Sequence, residues 1–292
     1  MSPLKLIAIA GACLALPASP SLAGHLLQTN RCAPSDLEIT GTAVNIAHDS
    51  VRYISYEHLL TLPQVTVTVK NDDNFRELPH EQIVVTGVYL DVLESYLGVD
   101  PTSDLVTAQC ADGYRSDFTR KYILSHRPIL ALKINGQPVK TWVAQTHTSD
   151  PGTYFITHET FTPSFNVLSY QELPKIPAMV TRLNFGSSQH VFDVIAPRGD
   201  TSSNPQVIDG FHIAEQHCYR CHNMGAYGGT KANKSWRTLG TYAASSPSNF
   251  ERYIRNPKSI DPKSAMPANP QFDESTVAAL QAYFRTFAPG VH

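Results

Sequence analysis

Charged side chains are scarce. Only 16% of the 292 residues are Asp, Glu, Lys or Arg, and no basic block stands anywhere in the chain. With a sequence pI near 6.6, this excludes the electrostatic footprint of a nucleic-acid-binding protein. After residue 23 no apolar run is long enough to span a membrane. No internal repeat is present. Cysteine is sparse as well: five in all, and only Cys218 and Cys221 lie close together, so no second pair completes a four-ligand zinc site. Methionine is limited to Met1, Met179, Met224 and Met266, which leaves few sulfur ligands to choose from.

What is there begins with a leader. Lys5, the apolar run Leu6 to Leu16 and the small-residue site Ser21-Leu22-Ala23 read as a secretory signal peptide over 1–23, which takes Cys13 with it. The mature chain is expected to be exported into a bacterial periplasm. At 42% hydrophobic it is globular, and its length suits one large domain or two ordinary ones. Charge is unevenly spread: net −6 over 24–204 and net +3 over 205–292. The sign change falls near "APRGDTSSNPQVID", residues 196–209, whose Pro, Gly, Ser and Asn suit a linker. The chain therefore divides into 24–195, the linker 196–209, and 210–292.

β-branched runs dominate the first part, at 65–69, 83–88 and 128–134, the last closed by the turn pair Asn135-Gly136. Residues 91–97 read as a short helix stopped by Gly98, and further extended runs lie at 153–158, 177–185 and 189–195. The first domain is expected to be α+β, mostly β. Beyond the linker the pattern turns helical, at 207–215, 249–255 and 274–287. In the last of these Val277, Leu280, Phe284 and Phe287 give one apolar face. An all-α domain of this size has a marginal core and gains from a covalently held prosthetic group.

Cys218-Tyr219-Arg220-Cys221-His222 is the C-x-x-C-H attachment signature of c-type haem. On one helical turn, residues three and four apart share a face. Cys218 and Cys221 can then both bond the haem vinyl groups while His222 binds iron. A redox disulfide would need a preceding strand in thioredoxin fashion, and none is expected here. A second axial ligand separates an electron carrier from a substrate-binding haem. Met224 is too close to reach the opposite haem face, Met179 reads as core of the first domain, and His212 and His217 are expected to face solvent. Met266 lies 44 residues after His222 in "KSAMPANP", where Pro267 stiffens the loop, and is the expected ligand.

With these residues in view, 205–292 resembles a class I monohaem cytochrome c. Gly210 and Phe211, the C-x-x-C-H, the Met266-Pro267 loop, Leu280 and Tyr283 carry the resemblance. It implies that the first and last helices cross where the glycine admits the aromatic. It also implies low-spin His/Met iron and outer-sphere electron transfer. Lys231, Lys234, Arg237, Arg252, Arg255, Lys258 and Lys263 flank the loops around the expected haem edge and could together steer an acidic partner.

The stretches "LVTAQCADGYRSDF" (105–118) and "RPILALKINGQP" (127–138) are similar to the sulfite-oxidase-like molybdopterin-binding fold, over roughly 58–195. In catalytic members the loop cysteine binds molybdenum, and Cys110 stands in that position. The sequence departs from the pattern after Asn135-Gly136, where "VKTWVAQTHTSDPGTYFITHETF" replaces the glycine- and proline-rich stretch. A pterin phosphate needs clustered cations, and only Arg115, Arg120, Lys121 and Arg127 are expected near the cysteine. These departures point to a retained fold with the molybdenum lost. His147 and His158 could line a site but read as ordinary surface or loop histidines, and Tyr114 as packing.

Two functions follow. One is a periplasmic electron carrier with a non-catalytic recognition domain for a redox protein or dehydrogenase. The other is a molybdenum oxidoreductase with a haem c exit domain and molybdopterin as second cofactor. Cys32 and Cys110 remain as an even pair in an oxidising compartment. They are expected to form a disulfide, unless Cys110 is held as a molybdenum ligand.

Overall fold

The computed structural model describes residues 26–42, 50–69, 73–75, 77–78, 82–159, 161, 166–167, 170–171 and 174–290. The leader expected over 1–23 lies outside these. In chain order the elements are β1 (Leu37–Gly41), β2 (Arg52–Ile54), α1 (Tyr56–Thr61), β3 (Val65–Val69), β4 (Ile83–Tyr89), α2 (Leu90–Leu97), β5 (Leu105–Cys110), β6 (Arg115–Thr119), α3 (Arg120–His126), β7 (Ile129–Ile134), β8 (Gln137–Pro138), α4 (Val139–Thr146), β9 (Phe155–Thr157), β10 (Asn166–Val167), β11 (Tyr170–Gln171), β12 (Val180–Gly186) and α5 (Ser188–Phe192). The helical part follows: α6 (Pro205–His217), β13 (Asn223–Met224), β14 (Tyr227–Gly228), α7 (Trp236–Ser245), α8 (Pro247–Arg255) and α9 (Glu274–Arg285). The protein is α+β.

Among the described residues, two five-stranded sheets and the short β10–β11 pair build the first part. One runs β2-β1-β12-β5-β6, with β1 and β12 parallel and the other pairs antiparallel. The other runs β3-β4-β7-β8, with β9 paired to β7. Two expected punctuation marks have their physical cause on view. Asn135 and Gly136 sit at φ 48° and 77°, the left-handed pair that a two-residue hairpin turn requires between Ile134 and Gln137. Gly98 caps α2 at φ 61°, donating its N–H back to the last turn.

Side chains that sequence places in separate domains share one core. Val207, Ile213, Tyr219, Trp236, Phe250, Leu280, Tyr283 and Phe284 of the helical part are buried together with Leu105 of β5, Val191 of α5 and Ile195. The expected extended run at 189–195 is therefore corrected to α5 plus a single 3₁₀ turn at 193–195. Its reason is periodicity: Val191 and Ile195 are four apart and present one face to the helices. The expected linker 196–209 also ends early. Asn204 caps α6, its side chain accepting from the N–H of Gln206 at 2.9 Å, and Pro205 occupies the first turn, where no N–H is needed.

α7 went unread in the sequence, although Ser235 caps it and Trp236, Gly240 and Ala243 line its buried side. The hairpin β13–β14 means that the C-terminal part is not wholly helical. No helix among the described residues is long and apolar enough to cross a membrane.

Candidate haem site

The cysteine motif continues α6 by one turn. The N–H of Cys218 donates to the Ala214 carbonyl at 2.8 Å, and those of Cys221 and His222 both donate to the Cys218 carbonyl, at 3.1 and 2.9 Å. Cys218 and Cys221 thus sit one turn apart with free thiols. Burial pushes the Cys218 thiol up to about 12, with Cys221 adding to it, and raises Cys221 as well.

His222 is buried, and its Nδ1 lies 2.6 Å from the carbonyl oxygen of Lys234. A carbonyl only accepts, so Nδ1 carries the proton and Nε2 keeps its lone pair. Burial lowers the His222 pKa, against the raising effect of the bond to Lys234, which favours the neutral ring that a metal needs.

The helix crossing implied by the resemblance is present. A Cβ on Gly210 would stand 2.0 Å from the Ala279 carbonyl oxygen and 2.7 Å from Cβ of Tyr283, so α6 and α9 touch backbone to backbone there. The rings of Phe211 and Tyr283 lie 5.8 Å apart, and Tyr283 accepts from the indole N–H of Trp236 at 3.1 Å.

Met266 is half-buried and packs on the same core that Cys218 borders. Its loop is tied down. Asn269 donates to the carbonyls of Ile254 and Pro267, both at 3.3 Å, and Ser264 bonds the Tyr253 hydroxyl at 3.0 Å.

Other candidates fall elsewhere. Met224 is buried in the hairpin directly after His222. Met179, expected as core, is only half-buried, with backbone φ 52°. His212 is exposed beside Glu215, as expected. His217 is not: it packs edge-on against Phe272, and burial holds its pKa well below the usual histidine range. It precedes Cys218 on the inner side of the turn, which the polar sequence around it did not indicate.

The first-domain candidates separate. Cys110 is buried at the end of β5, and burial, with Asp112 beside it, pushes its thiol up to about 12. Cys32 is exposed, where its N–H is held by the Asp36 carboxylate at 2.7 Å. The expected bridge is absent: both thiols are free.

The four expected cations do not cluster either. Arg115 grips Asp117 and Arg127 pairs with Asp91 at 3.3 Å, while Arg120 reaches the Ser103 carbonyl and Glu94, and Lys121 is exposed. His147 is exposed as the left-handed cap of α4. His158 is the opposite of a loop histidine. It is buried at 4% exposure, bonded to the Tyr122 hydroxyl at 3.1 Å, and desolvation lowers its pKa to about 3.

The turn that follows Cys110 lies directly on the cysteine motif. The N–H of Arg115 donates to the Arg220 carbonyl at 2.9 Å, and that of Thr230 to the Gly113 carbonyl at 2.8 Å. Lys231 pairs with Asp112 at 2.5 Å, and Arg220 donates to the Tyr114 hydroxyl at 3.2 Å. Tyr114, expected as packing, thus meets the cysteine motif through Arg220. Arg115 lies over the Tyr219 ring at 5.4 Å, and the Tyr219 hydroxyl reaches the Val191 carbonyl at 3.1 Å. Local sequence does not reveal this pairing, because its two sides stand more than 100 residues apart.

Among the described residues no three His, Cys, Asp or Glu side chains converge as a metal-binding group. No protein-family model matches the chain, and no curated protein matches it. Among solved structures it is similar to the sulfane dehydrogenase SoxCD from Paracoccus pantotrophus, with 16% identity and a TM-score of 0.34 over 60% of this chain and 45% of that one. A likeness of that size carries no argument about fold or function.

Proposed function

We propose that the chain is a periplasmic c-type cytochrome that passes electrons through one covalent haem, with a non-catalytic first domain. The observation that carries this reading is the His222 ring. Its Nδ1 is tied to the Lys234 carbonyl at 2.6 Å, and its Nε2 is left as a ligand one residue beyond a Cys218–Cys221 turn. In this reading Cys218 and Cys221 would hold the haem through thioethers, and His222 and Met266 would be the ligands of its iron. Haem held in this way supplies one-electron transfer. The chain supplies the rest. Trp236, Tyr283 and Phe284 keep water from the core beside the motif, and the tied Met266 loop limits ligand exchange.

Arg237, Arg252, Lys258 and Lys263 stay exposed on the +3 part, where they suit an acidic periplasmic redox protein or dehydrogenase. By contrast, Lys231 is spent on Asp112, and Arg255 on Glu251 at 3.0 Å.

One observation favours the second reading, a molybdenum oxidoreductase of sulfite-oxidase type: the Cys110 turn abuts the cysteine motif. The residues present do not fit a molybdopterin, however. The cations expected for its phosphate are dispersed, three of them on acids of their own, and Cys110 is a buried thiol held in its protonated form.

The test is co-expression of the chain with a haem-attachment system. A chromophore that survives denaturing electrophoresis, with a haemochrome spectrum of two thioethers and iron without molybdenum, is the expected result. No covalent chromophore, or iron and molybdenum in equal amounts, would overturn this reading.

A further inference from the structure

The first domain, without a fitting cofactor site of its own, touches both residues that separate the haem cysteines. Arg115 is the centre of that contact. Its main chain bonds the Arg220 carbonyl at 2.9 Å and its guanidinium covers the Tyr219 ring at 5.4 Å. The guanidinium itself is fixed. Nε donates to both Asp117 oxygens at 3.0 Å, and Nη2 to Asp117 at 2.8 Å and to Thr107 at 3.3 Å. Arg115 is 6% exposed. A buried ion pair seldom repays its desolvation as stability, and an apolar pair would serve the sheet as well. A planar, forked cation against an aromatic ring fixes orientation instead.

The rim of the contact is built to the same end. Gly113 sits at φ 81°, and a Cβ there would stand 2.7 Å from Thr230 Oγ1 and 2.9 Å from the Lys231 nitrogen, so the turn lies flush on 230–231. The Asp112–Lys231 pair closes its outer edge.

We infer that the Cys110–Arg115 turn is a clamp on the haem-attachment turn, with Arg115, held by Asp117, as the positioning residue that fixes Tyr219 and Arg220. The clamp gives the non-catalytic domain a function: it holds the motif, and with it the His222 side of the iron, in one geometry. This rests on the cytochrome reading for its effect on haem, but the clamp itself is a property of the polypeptide.

The experiment compares the full chain with its Arg115→Gln, Arg115→Lys and Asp112→Asn variants. Two quantities are read: deuterium exchange of the peptide over 214–224, with the peptide over 274–285 as internal reference, and the rate at which carbon monoxide binds the reduced haem. Arg115→Gln is expected to raise both motif exchange and the carbon monoxide rate about tenfold, with the reference peptide unchanged. Arg115→Lys keeps the charge but not the fork and falls between. Asp112→Asn is on the partly exposed rim and folds whatever Arg115→Gln does. It is expected to raise motif exchange about threefold.

Motif exchange and carbon monoxide binding within about twofold of the parent in a folded Arg115 variant would overturn the clamp. So would an equal rise in the reference peptide, or an unchanged motif in Asp112→Asn. If the chain carries no haem, it is the cytochrome reading that fails, and the exchange measurements still decide the clamp.

Discussion

Nδ1 of His222 donates to the carbonyl oxygen of Lys234 across 2.6 Å, and this one bond selects the tautomer that can bind iron. In the cytochrome reading proposed above the second iron ligand would be Met266, which borders the same core as Cys218. Met266→Ala is expected to abolish the weak near-infrared band of sulfur-ligated ferric haem and to lower the reduction potential, while covalent haem content stays unchanged. A band that survives the substitution removes Met266 from the iron.

Gly210 gives a prediction in which two effects oppose each other in sign. Helix propensity alone would have Gly210→Ala stabilise α6 by about 1 kcal/mol. The new Cβ would meet the Ala279 carbonyl oxygen at 2.0 Å, and backbone cannot move aside as a flexible side chain can. Overpacking of this kind costs about 1–3 kcal/mol or more. Denaturant unfolding should show a net loss of up to about 2 kcal/mol. A gain would mean that the two helices do not cross at Gly210.

Stability should also fall on mild acidification, through His158. Burial, then His126 and Lys175 nearby, lowers its folded pKa to about 3 from an ordinary 6.5, and its Nε2 faces the Tyr122 hydroxyl. The unfolded chain therefore takes up the proton first. The contribution is complete above pH 6.5 and is lost as pH drops from 6.5 towards 3, by about 1.4 kcal/mol per pH unit. Unfolding midpoints measured from pH 7 to 4 should be flatter in His158→Phe than in the parent. Parallel curves would assign the acid sensitivity to other groups.

The helical part should not be stable when cut at its apparent boundary. A fragment starting at residue 205 loses Leu105, Val191 and Ile195 from its core. It also loses the carbonyl partners of Tyr219 at Val191 and of Tyr283 at Ile195. Three buried aliphatic side chains at roughly 1.5–3 kcal/mol each are comparable to the whole stability margin of a segment this small. A fragment starting at residue 188 restores Val191, Ile195 and both carbonyls, and is expected to melt at a clearly higher temperature by circular dichroism. Equal melting temperatures would show that the contacts from 188–195 are incidental.

Some of this was fixed by local sequence. Cys218-Tyr219-Arg220-Cys221-His222 needs only one helical turn to bring two thiols and an imidazole together, so its geometry follows from spacing. Asn135-Gly136 and Gly98 demand left-handed backbone wherever they stand, and the β-branched runs at 65–69 and 83–88 favour strands. The proton position on His222 was not local, because it depends on a carbonyl twelve residues away that only the loop through Lys234 delivers.

Other features belonged to tertiary structure alone. Residues 189–195 carry the β-branched residues of a strand, yet Val191 and Ile195 become helical because burying both against the helical core outweighs a weak preference. Cys32 and Cys110 are an even pair by count, but only the fold leaves one exposed and buries the other beside the motif. Arg115, Arg120 and Arg127 lie close in sequence, but the strand β6 and the helix α3 point them to different acids. Pairings across more than 100 residues, such as Asp112 with Lys231 and Arg115 with Arg220, are set by how two separately patterned segments pack. Periodicity and spacing act within a turn or a strand, whereas packing is decided by which buried surfaces fit, and a linear sequence does not display that.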